Sequence, residues 1–240
     1  MSLPASIGAA GSRRGLELAD IFRAGGEDYR RAHPPSSQQA RVMADIERCR
    51  TASLGGHREY CEACDFERFA YNSCRNRHCP KCQTLTKAQW LEDRRAELLP
   101  VPYFHVVLTL PHELNGLVLA HKRALLKLLF QAGAQTLLQF GQNRFGGKIG
   151  FTMILHTWDQ LLRPHFHLHC LVPAGALAHD RSRWIRGNPK FLFAVRALSK
   201  VFRGKFLDGL RRLAERGRLA TPAGDLPRLW QNPNTPDRER

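Results

Sequence analysis

The sequence predicts an α+β protein, in which a small helical, cysteine-rich module precedes an antiparallel sheet with helices on one face. Six of the seven cysteines crowd between Cys49 and Cys82. The segment Pro164–Pro173 alternates strictly between histidine and apolar side chains, as a half-buried strand does. About seven residues separate it from the preceding apolar strand, too few for a helical crossover, so the two should pair as antiparallel neighbours.

Charge and composition limit the kinds of partner. The 240 residues include 37 Lys and Arg against 21 Asp and Glu, a formal net charge of +16. This excess predicts a polyanionic partner, most commonly a phosphate backbone. Neither an apolar signal segment nor a run long enough to span a bilayer is present, so we expect a cytoplasmic protein without membrane contact. Disulfides are rare there, which favours cysteines as metal ligands.

Helical spacing and breakers divide the first domain, predicted over residues 18–99. A first helix should end at Gly25-Gly26, and Ser37 should cap a second one. Between them and a third helix over 84–99, the cysteine segment is turn-rich and poor in apolar residues. Such a segment needs a metal to hold it together, giving a helical module that resembles a zinc ribbon. Prolines at 100 and 102 mark the domain boundary.

The second domain, predicted over 100–218, alternates strands with helices. A buried apolar strand comes first, then a leucine-rich helix, two paired strands and a basic helix with one apolar side. The flanking segments 1–17 and 219–240 lack this periodicity, and we expect a flexible lead and a disordered tail. The predicted ranges are 103–110, 149–157 and 164–173 for the strands, and 117–140 and 189–217 for the helices.

The histidine strand is the strongest candidate for a catalytic metal site. His165, His167 and His169 share one face, and same-face neighbours on a strand lie about 6.6 Å apart, so two of them can converge on one ion. The outer two are roughly 13 Å apart, too far to share it. The ligand pair is therefore either His165 with His167 or His167 with His169. A merely solvated polar face would explain one histidine but not three followed by Cys170.

Two C-x-x-C motifs predict a four-cysteine zinc site. Cys61 and Cys64 are separated by fourteen residues from Cys79 and Cys82, a spacing typical of zinc knuckles. Two redox pairs would instead need a thioredoxin-like βαβ context, which is absent. Other residues of ligand type could form a second tetrahedral site, although either histidine among them could be an ordinary surface residue. These further ligands are Cys49, His57, Cys74 and His78.

Basic residues surround the knuckles. Arg75, Arg77, Lys81 and Lys87 lie within or just after the cysteine segment. A small zinc module carrying several Arg and Lys is typical of nucleic-acid binding, and solvated charge is the competing interpretation. We predict that these four residues contact DNA.

Five segments together resemble the bacterial rolling-circle insertion-sequence transposases, members of the His-hydrophobe-His nuclease superfamily that carry an N-terminal zinc-binding domain. The resemblance covers roughly residues 20–218. The segments are 49–57 (CRTASLGGH), 61–64 (CEAC), 73–82 (SCRNRHCPKC), 102–112 (PYFHVVLTLPH) and 165–177 (HFHLHCLVPAGAL).

The resemblance implies a zinc-stabilised DNA-binding module followed by a single-strand nuclease domain acting on single-stranded or hairpin transposon ends. The family's histidine pair falls on His167 and His169, where it would hold Mg²⁺ or Mn²⁺ at the scissile phosphate. His165 would lie beside the metal or contact DNA. The third metal ligand stays open, and the candidates are Asp159, Gln160 and His105.

Two departures from the family pattern qualify this expectation. The glycine-rich turn after the histidine strand is here Pro173-Ala174-Gly175-Ala176. The family's two nucleophilic tyrosines lie on a later helix, whereas all four tyrosines of this chain, the last being Tyr103, precede the histidines. We therefore expect a truncated, catalytically incomplete transposase. The alternative is a non-catalytic zinc protein that competes for transposon ends. A zinc hydrolase is disfavoured because no Asp-His pair follows to complete a dinuclear site.

Overall fold

The computed structural model describes residues 15–219, in two compact units that divide between Leu98 and Leu99. Most of the predicted lead, and all of the predicted tail except Leu219, lie outside the described residues. Helices and antiparallel sheets occur together, so the α+β class is confirmed. None of the described helices is long and apolar enough to cross a membrane.

The first unit combines three helices with one β-hairpin around a small core. Ala19, Ile46, Cys49 and Cys79 are its buried centre, and half-buried apolar side chains pack around them. Two of these four are cysteines, so thiols fill much of the space that aliphatic side chains occupy in larger cores. The elements are α1 (Leu18–Ala32), α2 (Ser37–Arg48), β1 (Gly56–Cys61), β2 (Phe66–Tyr71) and α3 (Pro80–Ala96).

Helix boundaries in this unit differ from the predictions at three points. Helix α1 continues through the glycine pair, since Arg30 beyond it forms an ion pair of 3.0 Å with Glu47 of α2. The cap of α2 is Ser36 rather than Ser37, in a capping box with Gln39. Helix α3 begins at Pro80, four residues early, because proline suits the first helical position.

The second unit is built on a three-stranded antiparallel sheet. Its strand order is β3-β5-β4, so the histidine strand is central and pairs with β4 as predicted. The predicted leucine-rich helix is divided, since His121 leaves helical geometry between two helices. The elements are β3 (Tyr103–Thr109), α4 (Asn115–Ala120), α5 (Lys122–Phe145), β4 (Thr152–Trp158), β5 (Pro164–Pro173), β6 (Gly175–Leu177), β7 (Trp184–Arg186) and α6 (Val195–Glu215).

Strand β5 separates the apolar core from the face that carries the histidines. Phe166, Leu168 and Cys170 are buried, and they belong to one core cluster with residues of α5 and α6 such as Leu129 and Leu210. The predicted alternation is therefore confirmed, with the helices covering the apolar face. The imidazoles on the opposite face are left free of this core.

Candidate metal centres

Three histidines meet on the face of the sheet opposite the helices. The Nε2 atoms of His167 and His169 are 3.0 Å apart, and His156 of β4 lies directly across from His167 in the strand register. One ligand nitrogen from each of the three lies within 4.8 Å of the others. Residues opposite each other on antiparallel strands share a face, so the pairing of β4 with β5 is what assembles the trio.

Hydrogen bonds to the other ring nitrogens orient two of these imidazoles. Nδ1 of His167 lies 3.2 Å from the carbonyl oxygen of His165, to which it donates. Nδ1 of His169 lies 2.6 Å from Nε2 of His105 on β3, and the two rings are stacked. If Nδ1 carries the proton in both rings, each Nε2 keeps a free lone pair. This arrangement is typical of histidines that bind metal, whose second nitrogen is fixed by a neighbouring acceptor.

The surroundings favour the neutral form of both rings. Burial lowers the pKa of His167, and the nearby His165 and His156 act in the same direction, outweighing the hydrogen bond to the His165 carbonyl. Burial and the neighbouring histidines also lower the pKa of His169. Because only a neutral imidazole can bind a metal, this lowering keeps the pair ready to bind near neutral pH.

The residues considered as third ligand from the sequence lie elsewhere. The carboxylate of Asp159 accepts hydrogen bonds from the backbone of Leu161 and Arg163 and pairs with the Arg163 guanidinium at 2.8 Å. The hydrogen bonds of Arg163 hold the Asp159 pKa below its usual value. His105 lies behind His169, and Gln160 is exposed in the β4–β5 turn. His156 was missed, although the predicted strand pairing together with its register would have indicated it.

A second cluster consists of four cysteines of the first unit, one at the end of α2 and three within residues 74–82. Sγ of Cys82 lies 3.6 Å from Sγ of both Cys49 and Cys74, and Cys79 completes a group whose sulfurs all lie within 4.8 Å of one another. Four thiolates at about 2.3 Å around a tetrahedral zinc are about 3.8 Å apart. The cluster therefore has nearly the dimensions of a zinc-bound set. Cys49 and Cys79 are buried, which suits a structural site.

The structure does not bring together the four cysteines grouped from the sequence. Cys61 and Cys64 are exposed at the tip of the β1–β2 hairpin, away from Cys79 and Cys82. Of the predicted second set, Cys49 and Cys74 join the cluster instead, whereas His57 pairs with Glu59 and His78 lies exposed beside Arg77. Spacing along the chain could not reveal this, because Cys49 at the end of α2 comes close only through the packing of α2.

The thiols of the cluster differ in acidity. Burial raises the pKa of Cys49 and of Cys74. Burial acts in the same direction on Cys82, but hydrogen bonds from Cys49, Cys74 and Cys79 outweigh it and bring the Cys82 pKa to about 7. At neutral pH the metal-free cluster thus contains one readily formed thiolate. Binding a metal would release protons from the remaining thiols.

The four basic residues predicted to contact DNA have different surroundings. Lys81 forms an ion pair with Glu17 and is mostly covered. Arg75, Arg77 and Lys87 are exposed. Arg75 also lines a cleft of about 800 Å³ in the first unit, together with Arg50 and residues 68–73 of β2 and the loop after it. Three of the four are therefore available to a partner.

The helical layer of the second unit is more basic than residues 49–82, which contain the cysteine segment of the first unit. Helices α5 and α6 carry ten Lys and Arg against two acidic residues. A groove of about 280 Å³ between them is lined by five cations, with no acidic side chain in its wall. This composition suits a chain of phosphates. The five are Lys127, Lys205, Arg212, Arg216 and Arg218.

Known protein families match both parts of the chain. Residues 21–110 match the family described as "Transposase zinc-binding domain", and residues 150–236 match the one described as "Putative transposase". The chain is 50% identical over 211 residues to "Putative transposase y4qJ" of Sinorhizobium fredii, covering 87% of this chain and 53% of the relative. It is 34% identical over 131 residues to the transposase for insertion sequence element IS801 of Pseudomonas savastanoi pv. phaseolicola, covering 54% of this chain and 32% of that protein.

Similar solved structures include the conjugative relaxase TrwC in complex with DNA. One complex, with mutant oriT DNA, shares 17% identity at a TM-score of 0.39, covering 83% of this chain and 68% of the relaxase. A metal-bound complex shares 19% identity at a TM-score of 0.37, over 45% of this chain and 43% of the relaxase. Similarity at this level does not extend to function. The chain spans about half the length of one transposase relative and a third of the other. By its two matched segments it is similar to transposases that carry an N-terminal zinc-binding domain.

Proposed function

We propose that this chain binds transposon-end DNA and holds a divalent metal at His156, His167 and His169, where a phosphodiester of one strand would lie for cleavage and rejoining during transposition in the bacterial cytoplasm, once a nucleophile is supplied. The observation that carries the proposal is the convergence of three imidazoles, with two Nε2 atoms 3.0 Å apart, on the sheet face opposite the helices, where His156 is exposed. The similarity to transposases supports DNA transposition as the biological context.

The residues present fit a divalent transition metal. Two ligands at about 2.1 Å and at right angles around an octahedral ion are about 3.0 Å apart, which equals the separation of the two Nε2 atoms. Imidazoles favour transition metals over Mg²⁺, which prefers carboxylates and water. No carboxylate belongs to the described histidine group. Of the two ions suggested by the resemblance, we therefore propose Mn²⁺ ahead of Mg²⁺.

The protein residues would act mainly by positioning. A bound divalent ion supplies charge that stabilises the phosphate oxygens during strand cleavage. His105 and the His165 carbonyl hold the ligand rings in place, and the rigid centre of the sheet fixes their separation. Among the described residues, His105 and His156 are exposed on this face, which leaves room for a strand of DNA. We propose single-stranded or hairpin ends as the substrate, since a phosphate must reach the histidines on the sheet.

The first unit would contribute DNA binding through a zinc-stabilised fold. We propose that Cys49, Cys74, Cys79 and Cys82 hold one structural Zn²⁺, because four thiolates form closed tetrahedral sites without an open position for chemistry. Arg75, Arg77 and Lys87 then supply exposed positive charge next to that site.

Among the described residues, no tyrosine that could act as the nucleophile lies near the histidines. Tyr103, the only tyrosine after residue 99, begins β3 and accepts a hydrogen bond from the backbone of Leu99. It lies four residues from Val107, the partner of His169, or about 13 Å along the strand. We infer that the chain by itself binds metal and DNA without forming a covalent link. This observation also favours the second candidate function, a non-catalytic protein that competes for transposon ends.

Labelled single-stranded DNA incubated with the protein and Mn²⁺ tests both candidates on a denaturing gel. We expect Mn²⁺ binding in titration calorimetry and DNA binding in a mobility assay, with His167→Ala abolishing the first. No protein-linked DNA band should form. A covalent band that is lost in Tyr103→Phe would contradict the missing nucleophile, and a chain that binds neither Mn²⁺ nor DNA would contradict the proposal as a whole.

A further inference from the structure

An exposed tryptophan lies beside the histidine trio. Trp158 ends β4, two residues after His156, and 54% of its surface is exposed. A shift in strand register between the two residues alters the regular geometry of β4 at this point. The indole and the His156 ring are nearly parallel, at 4° with their centroids 6.1 Å apart. A flat aromatic surface therefore borders the proposed metal site.

The tryptophan is fixed in place by the turn that follows it. Asp159 accepts hydrogen bonds from the backbone of Leu161 and Arg163, and Trp158 pairs with Pro164 across the turn. The Arg163 guanidinium is already paired with Asp159. What this edge offers a partner is thus an aromatic ring on a hydrogen-bonded turn, and exposed apolar surface, rather than an unpaired Arg163.

We propose that Trp158 stacks on an unpaired nucleobase of the DNA strand whose phosphate lies at the histidine site. This inference rests on the proposed function and specifies how the strand is held. A phosphate and its own base are joined by one sugar, so a strand anchored at His156 presents a base to the neighbouring ring. Stacking on an aromatic side chain is a sequence-tolerant way of binding single strands, because every base has a flat face. A base inside a duplex has no free face to offer.

The charge of the chain favours DNA over a protein segment as the occupant. An apolar edge alone would suit either one, but this edge adjoins a cluster of metal-type ligands in a chain of net charge +16. A phosphate strand satisfies both features at once, whereas an apolar peptide satisfies only the ring.

The test compares two single strands of equal length by fluorescence anisotropy with Mn²⁺ present. One is oligo(dT), and the other is the same sugar–phosphate chain with every base removed. We expect Trp158→Ala to weaken binding of oligo(dT) by about 5- to 150-fold, the range that follows from replacing a stacking aromatic by alanine. Binding of the abasic strand should change less than twofold. Trp158→Phe should restore most of the affinity, since it keeps an aromatic face.

Leu161→Ala is the matched control, because Leu161 is 70% exposed in the same turn and has no aromatic face. It should leave both affinities unchanged. Equal losses on the two strands, no loss in Trp158→Ala, or an equal loss in Leu161→Ala would each overturn the inference, the last by indicating general apolar contact along this turn in place of aromatic stacking. Calorimetry with Mn²⁺ on each variant separates the stacking inference from the proposed function on which it rests. A wild-type chain that binds Mn²⁺ and abasic DNA but gains nothing from bases contradicts the stacking alone, whereas one that binds neither metal nor DNA removes the proposed function and the stacking with it.

Discussion

Replacing single cysteines would decide which four of them hold zinc. We expect Cys49→Ser to lose the bound zinc and to unfold the first unit, and Cys61→Ser to keep both the zinc of the cluster and the fold. The two residues differ in their surroundings: Cys49 is fully buried within 3.6 Å of Cys82, whereas Cys61 is exposed at the hairpin tip. Serine occupies nearly the same volume as cysteine but is a poor zinc ligand. Each substitution therefore removes a candidate ligand with little change in packing volume, and the pair compares the two candidate positions.

The size of the effect follows from how little else holds this unit together. Among its described residues, Met43 and Ile46 are the large aliphatic side chains that are buried. At about 1.5–3 kcal/mol for each buried side chain, they contribute on the order of 3–6 kcal/mol. A structural zinc site contributes about 10–16 kcal/mol in small zinc domains. Losing it therefore removes more than the aliphatic core can supply, and the fold should be lost with the metal.

The assay is elemental analysis of each purified variant after dialysis, together with limited proteolysis of the whole chain. In the digest, cleavage within residues 15–98 is followed. We expect the wild type to contain at least one zinc per chain and to resist cleavage. Cys49→Ser should contain one zinc fewer and be cleaved rapidly, while Cys61→Ser should still resist cleavage. The reasoning is refuted if Cys61→Ser is cleaved as rapidly as Cys49→Ser, or if Cys49→Ser retains the full zinc content, since either result would restore the grouping by C-x-x-C spacing.

Three further predictions address the second unit. His105→Ala should weaken Mn²⁺ binding about 10- to 100-fold in calorimetry without removing a ligand, because it orients His169; unchanged affinity would exclude that role. Gly175→Ala should lower the melting temperature, because the glycine has a φ of +155° and an added Cβ would lie 2.5 Å from the Ile185 carbonyl oxygen. We expect a loss of about 1–3 kcal/mol in the free energy of unfolding. Gly150→Ala, where an added Cβ meets nothing within 4 Å, is the control. Raising salt from 50 to 200 mM should weaken DNA binding about 10- to 100-fold for some four phosphate contacts; an affinity independent of salt would contradict phosphate binding.

Lowering the pH should destabilise the metal-free protein. The pKa values of His167 and His169 are lowered in the folded chain, so the unfolded chain binds more protons near and below the ordinary value of 6.5. The contribution of these two histidines to the free energy of unfolding is therefore fully present above pH 6.5, and it is lost as the pH falls below that value. Thermal melts of the metal-free chain at pH 7.5 and pH 5.5 measure this, and His167→Gln should reduce the difference. A chain equally stable at both values would contradict it.

The sequence was sufficient where structure depends on local periodicity. The alternation in β5 predicted which side chains enter the core, and it did so because a strand has a fixed period of two whatever its neighbours are. The short connection before it predicted antiparallel pairing with β4. Helix ends were less predictable: the glycine pair in α1 lies inside the helix because Arg30 and Glu47 tie the two helices together. No local pattern contains that contact.

The two candidate metal centres show the same limit of sequence analysis, which identifies residue types but not the residues they contact. His156 is a single histidine in an ordinary strand, and it becomes a ligand candidate only when the register sets it opposite His167. Cys49 lies 33 residues from Cys82, and the packing of α2 brings the two together. In both cases the residue type was visible and its partners were not, because a one-residue shift in register or a different helix packing would give another set of neighbours.

The difference in burial between the two centres has a functional consequence. Cys49 and Cys79 are almost completely buried, so a metal bound there is part of the core and exchanges only when the unit opens. His167 is buried, but His156 is exposed and His169 is half-buried, so among the described residues an ion there would keep open positions on the His156 side for water or a phosphate. A site that must accept a DNA strand needs this openness, and a site that must hold a small unit together needs the opposite. On the proposed function, the chain would separate a structural metal from a reactive one by where each set of ligands lies relative to the core, more than by the ligand types alone.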